Sequence, residues 1–175
     1  MKKILLSITL IFAASAACMA QSSSGNTGGS LLSLGIGVGT PYFGAGYSSS
    51  LPVNPTVAYE QMVVNNISVG GELSYAGSKF YGFNVNAVYV GARGSYHLGQ
   101  LLNVDSKVDL YGGIGLGYVV VNVSDDAGDS ATASSGLGYG LYAGAKYYFT
   151  PATAIYAELG YQSLSYLNVG VAFKF

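Results

Sequence analysis

The 175-residue sequence contains one cysteine, one histidine, four prolines and no tryptophan, and only 9% of it is charged. Each shortage narrows the field. Cys18 falls inside an N-terminal segment with the marks of a cleaved leader, so the mature chain is expected to have no disulfide and no thiolate metal site. Soluble domains carry roughly 25% charged residues. At 9% the chain cannot coat a water-facing exterior with charge. Losing Lys2 and Lys3 with the leader leaves five basic residues against eight acidic ones, a balance that argues against nucleic acid as a partner. No cofactor or metal motif stands out. Gly113-Ile114-Gly115-Leu116-Gly117 is strictly period two rather than the spacing of a dinucleotide site. The acids Asp125, Asp126 and Asp129 in SDDAGDS lack EF-hand spacing, so this stretch reads as solvated loop.

What the chain does have is apolar bulk (50%), 26 glycines and 16 tyrosines. Residues 1–20 read as a secretory signal peptide, with Lys2 and Lys3, an apolar run from Ile4 to Phe12, then small residues up to Ala20. That run is too short to span a bilayer as a helix. Ser15-Ala16-Ala17-Cys18 partly resembles a lipobox, with Ser15 where leucine is usual, so lipidation of Cys18 is the alternative. Residues 21–30 form a polar leader, and 31–175 are expected to form one domain.

Within that domain the hydrophobic period is two nearly everywhere, with no sustained helical pattern. Eight strands are expected, near 31–39, 53–63, 66–76, 81–97, 107–122, 136–149, 154–162 and 166–175. The last alternates Leu167, Val169, Val171, Phe173 and Phe175 with Asn168, Gly170, Ala172 and Lys174. Termini ordinarily fray, so an apolar alternation reaching the final residue implies a terminus held in a sheet. In the fourth strand the parity of Phe83, Val85 and Ala87 differs from that of Val88, Val90 and Ala92, so a bulge near Ala87–Val88, or strand beyond an apolar belt, is expected. Turns at 63–66 and 150–153 are tight and 99–106 is longer. The opposite end carries loops 40–52, 77–80, 124–135 and 163–165.

Short turns at one end and longer loops at the other are the asymmetry of an eight-stranded antiparallel up-and-down transmembrane β-barrel, with both termini on the periplasmic side. A soluble barrel with the bulky face inside would expose a surface of Gly, Ser and Ala with single charges. With the bulky face in lipid, small residues fill an interior wide enough only for side chains. Two aromatic bands agree: Tyr75, Tyr118, Tyr139, Tyr161 and Tyr166 near the loops, and Tyr96, Tyr147, Phe149, Phe173 and Phe175 near the turns.

On these residues the chain resembles the small outer-membrane β-barrel family typified by OmpX and the OmpA transmembrane domain. The Ala20–Gln21 junction is similar to Bacteroidetes usage. The resemblance implies a bacterial outer-membrane location, lipopolysaccharide as surroundings and a monomer. It also implies that Val169, Val171, Phe173 and Phe175 are read by the barrel assembly machinery. No peptidoglycan-gripping domain is expected after Phe175.

On the inner parity, Glu60, Glu72, Asp109 and Glu158 face Arg93, Lys146 and Lys174, with Lys107 at the turn edge. Buried charges persist when paired, so a lumenal charge network plugging the barrel is expected, and a gate for a narrow pore is the alternative. An enzyme acting on lipid A from the rim would need its catalytic set at the loop end. His97 sits at the turn end, and no Ser-His-Asp set can be assembled among the loops. The reading is therefore a non-enzymatic barrel with a structural or surface-interaction role. Loops 40–52 and 124–135 would carry adhesion or envelope integrity, and Tyr42, Phe43 and Tyr47 could contact a partner.

Overall fold

A computed structural model describes residues 29–39, 54–80, 83–99, 101–102, 105–125 and 130–175. The leader, loop 40–52 and the acids Asp126 and Asp129 lie outside the described residues, and so does the side chain of Asp125. Eight strands follow in chain order: β1 Ser30–Val38, β2 Asn54–Val64, β3 Ile67–Phe80, β4 Phe83–His97, β5 Val108–Asp125, β6 Ser130–Thr150, β7 Thr153–Gln162 and β8 Ser165–Lys174. Each pairs antiparallel with its sequence neighbour, and β1 pairs with β8 to close the barrel. At the seam Ser30 and Phe175 exchange backbone hydrogen bonds at 2.9 and 3.0 Å. The last residue is thus held in the sheet, as its alternation implies.

The two faces are inverted relative to a soluble protein. Leu137, Leu141, Ile114 and Leu159 are 64–77% exposed, while Glu60, Lys146 and Glu158 are no more than 2% exposed. Tyr89, Tyr111, Tyr142 and Tyr156 also point inward and are buried. The inner glycines are the moulds for these rings. A Cβ on Gly144 would fall 2.6 Å from the Tyr111 ring, and one on Gly138 would fall 2.9 Å from the Tyr89 ring. The period-two glycine strings therefore give up side chains on one wall so that tyrosines from the others can fill the lumen.

Strand parity follows the sequence pattern, but two details differ. The β3–β4 and β4–β5 ladders run without a register shift, so the bulge near Ala87–Val88 is absent. Ala87 is buried on the same inner parity as Tyr89, and β4 simply continues past the apolar belt. Residues 77–80 and most of 124–135 are strand rather than loop. Alternation fades there because neither face is apolar, yet ladder hydrogen bonds and polar cross-strand pairs continue. Tyr75 donates to Asn86 Oδ1 at 2.6 Å and Thr132 to Asn122 Oδ1 at 3.1 Å.

The lumen is layered. At the loop end, Ala76, Ala87, Tyr89 and Val119 form an apolar cluster with Leu164, a residue of the β7–β8 turn that folds into the barrel and is fully buried. Ser163 beside it takes a φ of 51° to make that inward turn. At the turn end, Ala154, Tyr156 and Ala172 cluster with Tyr148. The charged residues lie elsewhere in the same lumen.

Candidate functional site

Arg93 organises the charged layer. It sits on β4 between Gly70 of β3 and Gly115 of β5, so no neighbouring side chain competes for the space its guanidinium enters. Its Nη2 donates to Glu158 Oε1 of β7 at 2.6 Å and its Nη1 to Glu72 Oε2 of β3 at 3.0 Å. Its Nε lies 3.4 Å from Glu60 Oε2 of β2. The face of Tyr142 is 4.4 Å from the guanidinium carbon. One planar cation thereby bridges four strands, which suits guanidinium better than ammonium because its donors fan out in a fixed plane.

The carboxylates take further donors. Ser68 and Ser95, opposite each other on β3 and β4, donate to Glu60 Oε1 at 2.8 and 2.7 Å. Ser74 donates to Glu72 Oε1 at 3.1 Å, and the Tyr111 hydroxyl to Glu158 Oε1 at 2.8 Å. A buried ion cluster withstands desolvation only with such additional partners. Among the described residues no group of three or more His, Cys, Asp or Glu side chains is arranged to hold a metal.

The seven charges expected to form one network are distributed over three places. Glu60, Glu72, Arg93 and Glu158 come together. Lys146 is fully buried but stands apart, its Nζ 3.4 Å from the centre of the Tyr111 ring and without a hydrogen bond among the described residues. Asp109 binds His97 instead, Oδ2 to Nδ1 at 2.8 Å. Lys174 does not join the cluster. It is exposed at the turn-end mouth, where inner parity no longer means burial, and it lines a cavity of about 540 Å³ together with His97 and Asp109. Val169, Val171 and Phe175 present side chains on the outer wall, and Phe173 is half-buried beside them.

Sequence reasoning left out the serines, Tyr111 and Tyr142 as cluster members, and it placed His97 at the turn end without its partners. His97 is 8% exposed, and its Nε2 lies 3.0 Å from Ser68 Oγ. The alignment of Ser68 and Ser95 on the inner parity of paired strands was the available signal.

Closed antiparallel pairing, an apolar outside and an ionic inside define the class: a membrane-spanning β-barrel, whose closure satisfies every ladder group within hydrocarbon. The chain belongs to the outer membrane protein beta-barrel domain family, whose model matches residues 8–175. No curated protein matches it in sequence. Among solved structures it is similar to Neisserial surface protein A, at 16% identity and a TM-score of 0.61 over 87% of this chain and 100% of that one. It is also similar to Ail, the attachment invasion locus protein of Yersinia pestis, at 21% identity and a TM-score of 0.54 over 86% and 100%. The N-terminal barrel domain of Pseudomonas aeruginosa OprF matches at 16% identity and a TM-score of 0.56 over 87% and 100%. These likenesses concern the fold. The protein is an eight-stranded barrel of the bacterial outer membrane.

Proposed function

We propose that this barrel is a sealed, non-enzymatic outer-membrane scaffold with a structural or surface-interaction role, its lumen plugged by the Arg93 cluster. The observation that carries the reading is the encirclement of one buried guanidinium by Glu60, Glu72 and Glu158 from three other strands. Apolar clusters toward both ends of the lumen support it, since a water path would have to pass Leu164 and Tyr156 as well. The barrel stands as a monomer among lipopolysaccharide and outer-membrane lipids, with its turn end in the periplasm. Its C-terminal residues Val169, Val171, Phe173 and Phe175 address the assembly machinery.

The absence of enzymatic activity in this reading rests on access. Asp109, His97 and Ser68 are spaced like a hydrolytic triad, yet Ser68 is fully buried and its hydroxyl is committed to Glu60. Ail has been solved with the heparin analogue sucrose octasulfate. The acids of SDDAGDS make a polyanion a poor match for this surface, and the proposed interaction is with a neutral or cationic partner.

Planar-bilayer recording of the purified barrel tests the plug. The wild-type protein is expected to give no steady current, and Arg93→Ala to give leak events. Stable open channels in the wild type that vanish in Arg93→Ala would instead make the cluster the gate of a narrow pore. Deleting 41–51 or 126–129 then tests the surface role, through loss of cell or envelope-component binding by a barrel that still folds.

A further inference from the structure

The hydrogens around His97 can be counted. Ser68 Oγ lies 2.8 Å from Glu60 Oε1, and a carboxylate can only accept, so the single hydroxyl proton of Ser68 points at Glu60. His97 Nε2, 3.0 Å from the same Oγ, must then be the donor in that contact. On the other side His97 Nδ1 faces both oxygens of Asp109, at 3.0 and 2.8 Å, and must donate there too. With every contact made, the ring carries two protons and a positive charge.

We infer that Asp109, His97 and Ser68 form a proton-binding site at the turn-end mouth that sets how tightly the Arg93 cluster is held. The inference rests on the plug reading and names its regulation. Loss of the Nε2 proton leaves Nδ1–H on Asp109 and turns Nε2 into an acceptor. Ser68 then rotates its hydroxyl to the ring, and Glu60 Oε1 keeps only Ser95. Glu60 is the carboxylate nearest Arg93 Nε, so the change passes from the mouth to the guanidinium through one hydroxyl rotor. Acidification accordingly tightens the turn end and alkalinisation loosens it.

The surroundings permit this exchange. From β5 the ring meets Asp109 and, at 5.6 Å between centroids, Tyr111. From β6 Lys146 stands opposite Asp109 in register, and Tyr148 lines the mouth. Asp105 and Lys174 of β8 line the same cavity, Glu60 of β2 is reached through Ser68, and from β7 Glu158 accepts from the Tyr111 hydroxyl while Tyr156 stands opposite Lys146. β1 contributes the uncharged Leu31. His97 and Asp109 border the cavity while Ser68 does not, so protons reach the ring from the mouth and the rotor stays dry.

His97 is the only histidine in the chain, so ¹⁵N labelling of histidine in the folded barrel in detergent or nanodiscs gives one ring to follow. The expected result is a doubly protonated ring at low pH that becomes the Nδ1–H tautomer as pH rises. The Arg93 Nε–H resonance should shift with the same midpoint. In Ser68→Ala the ring should still titrate while the Arg93 resonance no longer follows. A ring that is neutral as Nε2–H throughout, or an Arg93 response unchanged in Ser68→Ala, overturns the inference. Bilayer current at a single pH judges the plug separately: a silent wild type with an uncoupled ring sinks only the latch, and an open wild type sinks the plug.

Discussion

Ala92 and Arg93 are consecutive on β4 and live in different solvents. Ala92 is exposed on the outer wall among Val90, Leu116 and Leu73, where any apolar residue of suitable size would serve. Arg93 is 4% exposed; its Nη1 and Nη2 donate to single carboxylate oxygens on two other strands, and its Nε lies 3.4 Å from a carboxylate on a third. The outer wall is thus specified by class of residue and the inner wall by identity. Glycine shows the same contrast. On the outer parity a Cβ at Gly94 or Gly112 would find its nearest neighbour at 3.7 Å, an ordinary contact. On the inner parity a Cβ at Gly170 would lie 2.6 Å from the Cα of Gly35, and one at Gly144 would strike Tyr111 and Glu158.

Four substitutions test how far this contrast reaches. Arg93→Ala leaves three carboxylates without their shared cation and should cost about 3–5 kcal/mol. Urea titration followed by heat-modifiable gel migration measures it, and a loss below about 1 kcal/mol would mean the inner wall is no more exacting than the outer. Ile114→Arg puts charge near the middle of the outer wall and should cost about 2–4 kcal/mol by the same titration. A stability within 1 kcal/mol of the parent, on the order expected near the interfaces, would show that this position is not deep in hydrocarbon. Gly144→Ala forces Tyr111 and Glu158 aside, for a loss of about 1–3 kcal/mol, read as a lower urea midpoint. Smallest is Gly94→Ala, expected within about 0.5 kcal/mol of wild type. If it proves as damaging as Gly144→Ala, available space does not distinguish the two walls.

The number of strands and the assignment of inner and outer residues could be read from the chain, because a period of two is a local property. The choice of partners for Arg93 could not. Glu60, Glu72 and Glu158 meet there because of the stagger between strands and the barrel's curvature, and neither leaves a mark in any single segment. The contacts of His97 were hidden for a related reason: position at a strand end does not reveal the Ser68 and Asp109 side chains that neighbouring strands bring against the ring. Leu164 was invisible as a lumenal residue because it belongs to a short polar-looking turn, Gln162-Ser163-Leu164-Ser165. The strand extensions past the apolar belt escaped detection where both faces are polar and alternation carries no signal.

The seam between β1 and β8 joins residues at opposite extremes of the chain, with Leu31 opposite Lys174 and Val38 opposite Leu167. Every other ladder can zip up from a nearby turn, but this one needs the whole intervening polypeptide in place before its bonds can form. Until then two open edges remain, each a row of unpaired amides and carbonyls that hydrocarbon will not accept. Sealing the cylinder is therefore the committing event of biogenesis, and a nascent chain short of its final strand can have no stable home in the bilayer.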